Sequence, residues 1–313
     1  MACTGGGEQS RWERVESPPL SPRVVAATFS HAGEAFVVGG DTEPCPPNAS
    51  CTIPRTPPLA DGAAYHAETG TWRRIADAPV PFEFAEVEVI GGTAYLWITS
   101  YGRPGTSTAF LAYRIADDRW DELPLPLDTD PNAIEIGIAQ AEGRVVALTW
   151  TATADPFPER VLDPGSETWS PAPEGLEVDP FPAPPHGDRE PHTVAGWIGR
   201  YSAQSGWALD EDTGEWVEIE PLEQGGEWVD GRAVASAGRD LLVVGGVRWE
   251  NLEPRLLNDA WLWRARRASP AGKSDRRGAP SPARRRARTS RVAAAPALPA
   301  RSRIGSRRCR TAR

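Results

Sequence analysis

The side chains best suited to chemistry are few: four cysteines and four histidines in 313 residues. Cys45 and Cys51 are separated by five residues in a Pro-rich stretch, GDTEPCPPNASCTIPRTPP, with no histidine close by. A structural zinc site needs four ligands, so this pair reads as a disulfide stapling a loop tip. Such a bond persists in an oxidising compartment. His186 and His192 flank Asp188 and Glu190 in PHGDREPH, where imidazole and carboxylate could hold a metal. The segment is polar and Pro-rich, and a surface loop is the stronger reading. His31 and His66 fall in expected turns as solvated polar residues. No GxSxG elbow, P-loop or HExxH motif occurs. The site expectations are therefore no catalytic residue, no cofactor and no metal.

The elements that would position these residues follow from a tryptophan period. Trp72, Trp120, Trp169 and Trp216 are separated by 48, 49 and 47 residues. Each closes a similar octapeptide: YHAETGTW (65–72), YRIADDRW (113–120), LDPGSETW (162–169) and LDEDTGEW (209–216). A period in the forties means one supersecondary unit repeated. Ahead of the octapeptides lie apolar–turn–apolar runs: VVAATFS (24–30) with AFVVGG (35–40), then 85–98, 133–150 and 233–246. Short β-branched runs around Gly-containing turns are hairpin signals. The octapeptide supplies a third strand, a turn and a fourth strand. No window sustains a helical apolar period, so helix should be scarce.

Four antiparallel strands repeated radially describe a β-propeller, in which neighbouring blades cover both faces of each sheet. The pattern resembles the kelch repeat family. Gly39-Gly40 and Gly245-Gly246 match that family's Gly-Gly after the second strand. Tyr65, Tyr113, Leu162 and Leu209 take its Tyr position, and Thr69 and Thr213 its Thr position. Gly91-Gly92 lies in the turn before a second strand and does not match. The resemblance covers about 11–264 and implies a single kelch-type propeller. The region 175–222 fits least, because PHTVAGWIGRYSAQSG is a poor match to the first two strands.

The last repeat lacks its tryptophan. NDAWLW (258–263) puts Trp263 at the Tyr position, and Pro270 stands where Trp is due. Trp12, in RWERVESPPL, can supply the missing fourth strand from the other terminus. Five blades are favoured, with six as the alternative. Repeat-core residues are then Trp12, Trp72, Trp120, Trp169, Trp216, Gly39, Gly40, Gly245 and Gly246.

Charge divides the chain. Of 34 Lys and Arg residues, 17 lie in 264–313 beside one acid, Asp275. The first 263 residues hold 17 basic and 42 acidic residues, a net −25. So acidic a body repels phosphate backbones, which argues against nucleic-acid binding by it. Residues 265–313 read as a disordered Arg/Ala/Pro tail, and 1–10 as a flexible tether. MACTGGGEQS resembles a bacterial lipoprotein junction; with a hydrophobic leader upstream, Cys3 would carry the lipid. The expectation is a monomeric, exported protein, at the cell surface or secreted, with a cytoplasmic chain as the alternative. Membrane contact would come only through Cys3.

The functional expectation is a non-catalytic binding or scaffold module taking a protein or glycan at its loop face. Candidate recognition elements are the Cys45–Cys51 insertion and loop 181–192, with Trp197 and Trp228 able to stack on sugar. The alternative is a carbohydrate-active enzyme. Galactose oxidase has similar repeats, but its copper site draws two His, two Tyr and a Cys partly from another domain. Sialidase Asp boxes place Gly three residues before Trp, whereas Gly70 and Gly214 stand two before it.

Overall fold

The computed structural model describes residues 12–45, 56–99, 107–126, 135–151, 154–178, 229–251 and 253–264, with short stretches at 192–194, 197–200, 207–210, 215–219 and Leu222. Strand β1 (Trp12–Val15) opens this part of the chain. A first sheet follows, with β2 (Ala27–His31), β3 (Glu34–Val38), β4 (Gly62–His66) and β5 (Thr71–Ile75). The second holds β6 (Ala85–Ile90), β7 (Thr93–Ile98), β8 (Ala109–Arg114) and β9 (Arg119–Leu123). The third holds β10 (Glu135–Ala141), β11 (Arg144–Thr151), β12 (Ala154–Asp163) and β13 (Thr168–Pro171). The fourth is β14 (His192–Val194), β15 (Trp197–Arg200), β16 (Trp207–Asp210) and β17 (Glu215–Glu218). The remaining strands are β18 (Val229–Asp230), β19 (Ala233–Ala237), β20 (Asp240–Val244), β21 (Val247–Glu250), β22 (Glu253–Leu256) and β23 (Ala260–Trp263). All pairings are antiparallel, and the architecture is all-β and propeller-like. The one helical turn among the described residues is a 3₁₀ segment, Ile115–Asp117.

The fifth sheet runs β1-β23-β20-β19, so the N-terminal strand completes the last sheet. Its register puts Trp12 opposite Trp263. The same register pairs Tyr65 with Trp72, Tyr113 with Trp120, Leu162 with Trp169 and Leu209 with Trp216.

The tryptophan period has a hydrogen-bonding cause. Trp72 Nε1 donates to Glu16 O at 2.7 Å, Trp120 Nε1 to Ala76 O at 2.8 Å, and Trp169 Nε1 to Pro124 O at 2.9 Å. Each acceptor lies four residues beyond the preceding tryptophan, counting Trp12 as the first. Each indole thus ties its sheet to the connector leaving the sheet before it. The rings add apolar contact: Trp169 packs on Phe110 of the second sheet at 5.1 Å between centroids. The turn before each indole also repeats. Gly70, Asp118 and Glu167, each two residues before a Trp, have φ of 68°, 48° and 56°. That left-handed position explains why glycine recurs there.

The Gly-Gly pairs serve close approach as well as conformation. Gly39 and Gly40 have φ of 67° and 101°, and Gly245 and Gly246 of 64° and 98°. A Cβ on Gly39 would stand 2.7 Å from Phe82 O in the lead-in to the second sheet. One on Gly245 would stand 2.8 Å from Arg23 O in the lead-in to the first. The adjacent amides bond the same lead-ins, Gly40 N to Phe82 O and Gly246 N to Arg23 O. A buried guanidinium caps each pair's first carbonyl. Arg23 Nη1 donates to Gly39 O (3.0 Å) and to Asp61 Oδ1 (2.8 Å); Arg232 Nη1 donates to Gly245 O (2.7 Å) and to Asp259 Oδ1 (3.1 Å). Burial works to raise the pKa of Asp61 and Asp259. Their arginines outweigh it and hold both below the usual carboxylate range.

Two expectations need correction, the start of the first strand and the places of His31 and His66. The first strand begins at Ala27, not Val24, because Val24 bridges to Asp41 and Val25 turns into the left-handed region at φ 50°. The poorly matching 175–222 region contains the four-stranded sheet expected of a full repeat, with first two strands only three and four residues long. His31 and His66 end strands β2 and β4 and do not sit in turns. One element was not anticipated: β21 and β22 form a hairpin between β20 and β23, and with β18 they make a separate three-stranded sheet.

Gly39→Ala and Gly143→Ala separate clash from conformation, since both glycines have positive φ but nothing lies within 4 Å of a Cβ on Gly143. Gly143→Ala should cost about 1 kcal/mol. Gly39→Ala should cost more than about 3 kcal/mol, because backbone must move. Urea unfolding of the two variants reads the difference, and equal costs would refute the close-approach account.

Candidate functional site

Each first strand (β2, β6, β10, β14, β19) is an edge of its sheet, with one row of backbone groups unpaired. β2 runs beside β19 and β6, β6 beside β10, and β14 beside β19. Side chains cross between these neighbours to occupy the free backbone groups. Thr28 Oγ1 donates to Val234 O at 2.7 Å and Ser30 Oγ to Ser236 O at 2.6 Å. Between the second and third sheets the polarity reverses: Glu86 Oε2 accepts from Ile138 N at 2.7 Å.

Antiparallel connection places the β3–β4 and β5–β6 links at the same end of the first sheet. At that end the lead-ins meet. Gly231, Val25 and Phe84 occupy equivalent positions just before β19, β2 and β6, with φ of 62°, 50° and 53°. They form a chain of backbone bonds, Val25 N to Gly231 O and Phe84 N to Val25 O. A β-branched or bulky residue at positive φ is a true conformational outlier. Such strain concentrates at ligand clamps and active sites. Phe84 is also 55% exposed, the most open large apolar side chain among the described residues.

Two residues beyond Phe84, Glu86 has an unusual setting. Water reaches it, yet the surrounding protein raises its pKa, a trend only partly offset by the Ile138 N–H. No cation balances its charge among the described residues. Directly opposite on β7 stands Trp97, 3% exposed, whose Nε1 has no hydrogen-bond partner. On the third sheet, Thr149 Oγ1 donates to Glu159 Oε2 at 2.9 Å.

The residues singled out from sequence are distributed otherwise. Cys45 lies at the edge of the described first-sheet loop; Cys51, Cys3, His186 and Trp228 lie outside the described residues. Trp197 and Trp216 are placed by backbone only, in β15 and β17. Trp12, Trp72, Trp120 and Trp169 hold sheets together, and the four Gly-Gly glycines hold lead-ins. Among the described residues no three His, Cys, Asp or Glu side chains form a metal cluster. The sequence reading missed Phe84, Glu86 and Trp97. In AEVEVI the alternation of Glu with Val signals a half-buried strand, but not that its polar side faces another sheet.

No family model and no curated protein matches the chain. Among solved structures, one described as "Structure of YjhT" is similar at 13% identity and a TM-score of 0.36, covering 80% of this chain and 84% of that chain. A likeness this loose supports no conclusion about the chain.

Glu86 makes a pH-dependent contribution whose sign is fixed by its raised folded-state pKa. The folded protein holds the proton more tightly than the unfolded chain, so this group's contribution falls as pH rises from the ordinary value of 4.5 through the raised one. Glu86→Gln keeps an acceptor for Ile138 N–H and removes the charge. The variant should match or exceed the parent's stability at neutral pH, with the advantage vanishing in acid. Thermal melts across the acid-to-neutral range test this; a variant uniformly less stable would show that the charge itself is needed.

Proposed function

We propose that residues 11–264 form a five-bladed kelch-type β-propeller, closed by the strand carrying Trp12, that acts as a non-catalytic binding module. The repeated Trp-to-connector bond and the Trp12–Trp263 register support the blade count and the closure. Residues 1–10 serve as a tether and 265–313 as a disordered tail. The reading includes export, with a Cys45–Cys51 staple in the first-sheet loop and Cys3 as a lipid anchor where a leader precedes it.

The observation that carries binding is Phe84, an exposed aromatic held in a strained conformation at the end that carries the β3–β4 and β5–β6 links. Solvent alone gives no reason to hold a phenyl ring there. A ligand does, because a rigid exposed ring offers contact area at little entropic cost.

The full chain should capture a ligand from a glycan array or a panel of extracellular proteins. Phe84→Ala should weaken that capture about tenfold while changing stability by less than about 0.5 kcal/mol. Unaltered capture by the variant would place the binding face elsewhere. Stoichiometric copper with sugar-oxidase turnover would replace the module by an enzyme.

A further inference from the structure

Two large apolar side chains face water among the described residues, Phe84 at 55% and Leu125 at 42% exposure. Both lie at the lead-in end of the second sheet, where β6 enters and β9 leaves. The ladder stops there on the row Ala85, Ile98, Ala109 and Pro124. Ala85 pairs with Ile98 and Ile98 with Ala109, and the pairing of Phe110 with Leu123 sets Pro124 beside Ala109. One step further in the same register, Phe84 and Leu125 share a row, on the inner and the outer strand. Three strand spacings separate them, about 14 Å.

The two positions are built alike. Phe82 and Leu123, each two residues earlier, are buried at 1% and 7%, and the apolar residue two further on is exposed. Both positions lie in Pro-alternating runs, PVPFEF and LPLPL, in which proline fixes φ. Each is held at its base by a neighbouring sheet: Phe84 N donates to Val25 O, and Pro124 O accepts from Trp169 Nε1. Little freedom is left to lose on binding.

Charge and span select the partner. Asp77, in the link that ends in Phe84, and Glu122, on the strand that leads to Leu125, are exposed and have no ion pair among the described residues. The first 263 residues hold 17 basic and 42 acidic side chains. A second copy would meet this end with like charge, and an anionic membrane or nucleic acid would be repelled. A monosaccharide is too small to reach both anchors, and a neutral glycan gains nothing from the charge. A protein face meets both demands. A standard interface covers about 800 Å² per partner, a patch about 30 Å across, and both anchors fit within it. We propose that a protein partner with a basic face and two apolar pockets docks on this end, taking Phe84 and Leu125 as its anchors. This rests on the reading of Phe84's end as the ligand-facing end.

The full chain is probed on an array of purified extracellular proteins beside a glycan array. A protein of positive net charge should be captured, and capture should weaken as salt is raised. Phe84→Ala and Leu125→Ala should each raise its Kd about tenfold. Asp77→Asn combined with Glu122→Gln should flatten the salt dependence. Where Phe84→Ala disturbs folding, Phe84→Gly removes the same ring and suits the positive φ. Capture of no protein, capture of acidic proteins alone, or a Kd unmoved by Leu125→Ala overturns the proposal. A glycan held through Phe84 but indifferent to Leu125→Ala removes the protein partner and leaves the binding module standing. Capture indifferent to Phe84→Ala removes this end as the binding face, and the proposal with it.

Discussion

The indole N–H that reaches the carbonyl four residues past the preceding tryptophan is the bond on which the other features depend. A four-stranded sheet with two apolar faces and an unpaired inner edge is not stable alone. Each needs neighbours at a fixed offset. The indole sets that offset by tying the outermost strand of one sheet to the connector leaving the sheet before it. With the outer strands so anchored, the aromatic side chains of adjoining sheets interdigitate: Phe29 and Phe36 of the first with Tyr113 of the second, and Phe110 of the second with Trp169 of the third.

Toward the inner edge the constraint is close approach. Lead-in segments cross directly over the Gly-Gly pairs, and no side chain fits between the two backbones. Sealing polar backbone at such a crossing requires partners for every carbonyl, which Arg23 and Arg232 supply. These arginines are not equivalent by position. Arg23 precedes the left-handed residue Val25 by two, whereas Arg232 follows the left-handed Gly231 by one. They nonetheless reach the same pair of targets, a Gly carbonyl and the Asp just before the third strand. The need for a buried, paired donor is fixed by the fold, and the residue providing it is free to move.

This contrast explains what was legible in the sequence. Tryptophan spacing, Gly-Gly pairs and the substitution of Trp12 for a missing partner are covalent-order signals. They follow from strand count and register, and they identified the all-β repeat and the Trp12–Trp263 pairing. The β14–β15 hairpin was harder, since three- and four-residue strands leave too short a run for alternation to show. The site was least legible. Glu86 and Trp97 are eleven positions apart, and neither carries a motif. Their setting arises only when antiparallel pairing sets them opposite each other and the third sheet brings the Ile138 amide against Glu86. Phe84 reads in sequence as one more apolar residue of a Pro-rich connector, VPFEF. Its exposure comes from the backbone turn forced on it by the lead-in chain of Val25 and Gly231.

That lead-in chain also sets this end of the sheets apart by its backbone conformation. Elsewhere among the described residues positive φ falls to glycine, or to Ala, Asn, Asp and Glu in tight turns; here Val25 and Phe84 accept it. Either position could hold glycine without the steric penalty, as Gly231 does at the third equivalent site. For Val25, side-chain contact offers a structural return, because its methyl lies against Gly231. Phe84 has no comparable return, with more than half its surface open to water. Among the described residues, Phe84 is thus a strained and exposed ring, and it stands two residues from Glu86, whose hydrogen-bond partner among them is the Ile138 amide.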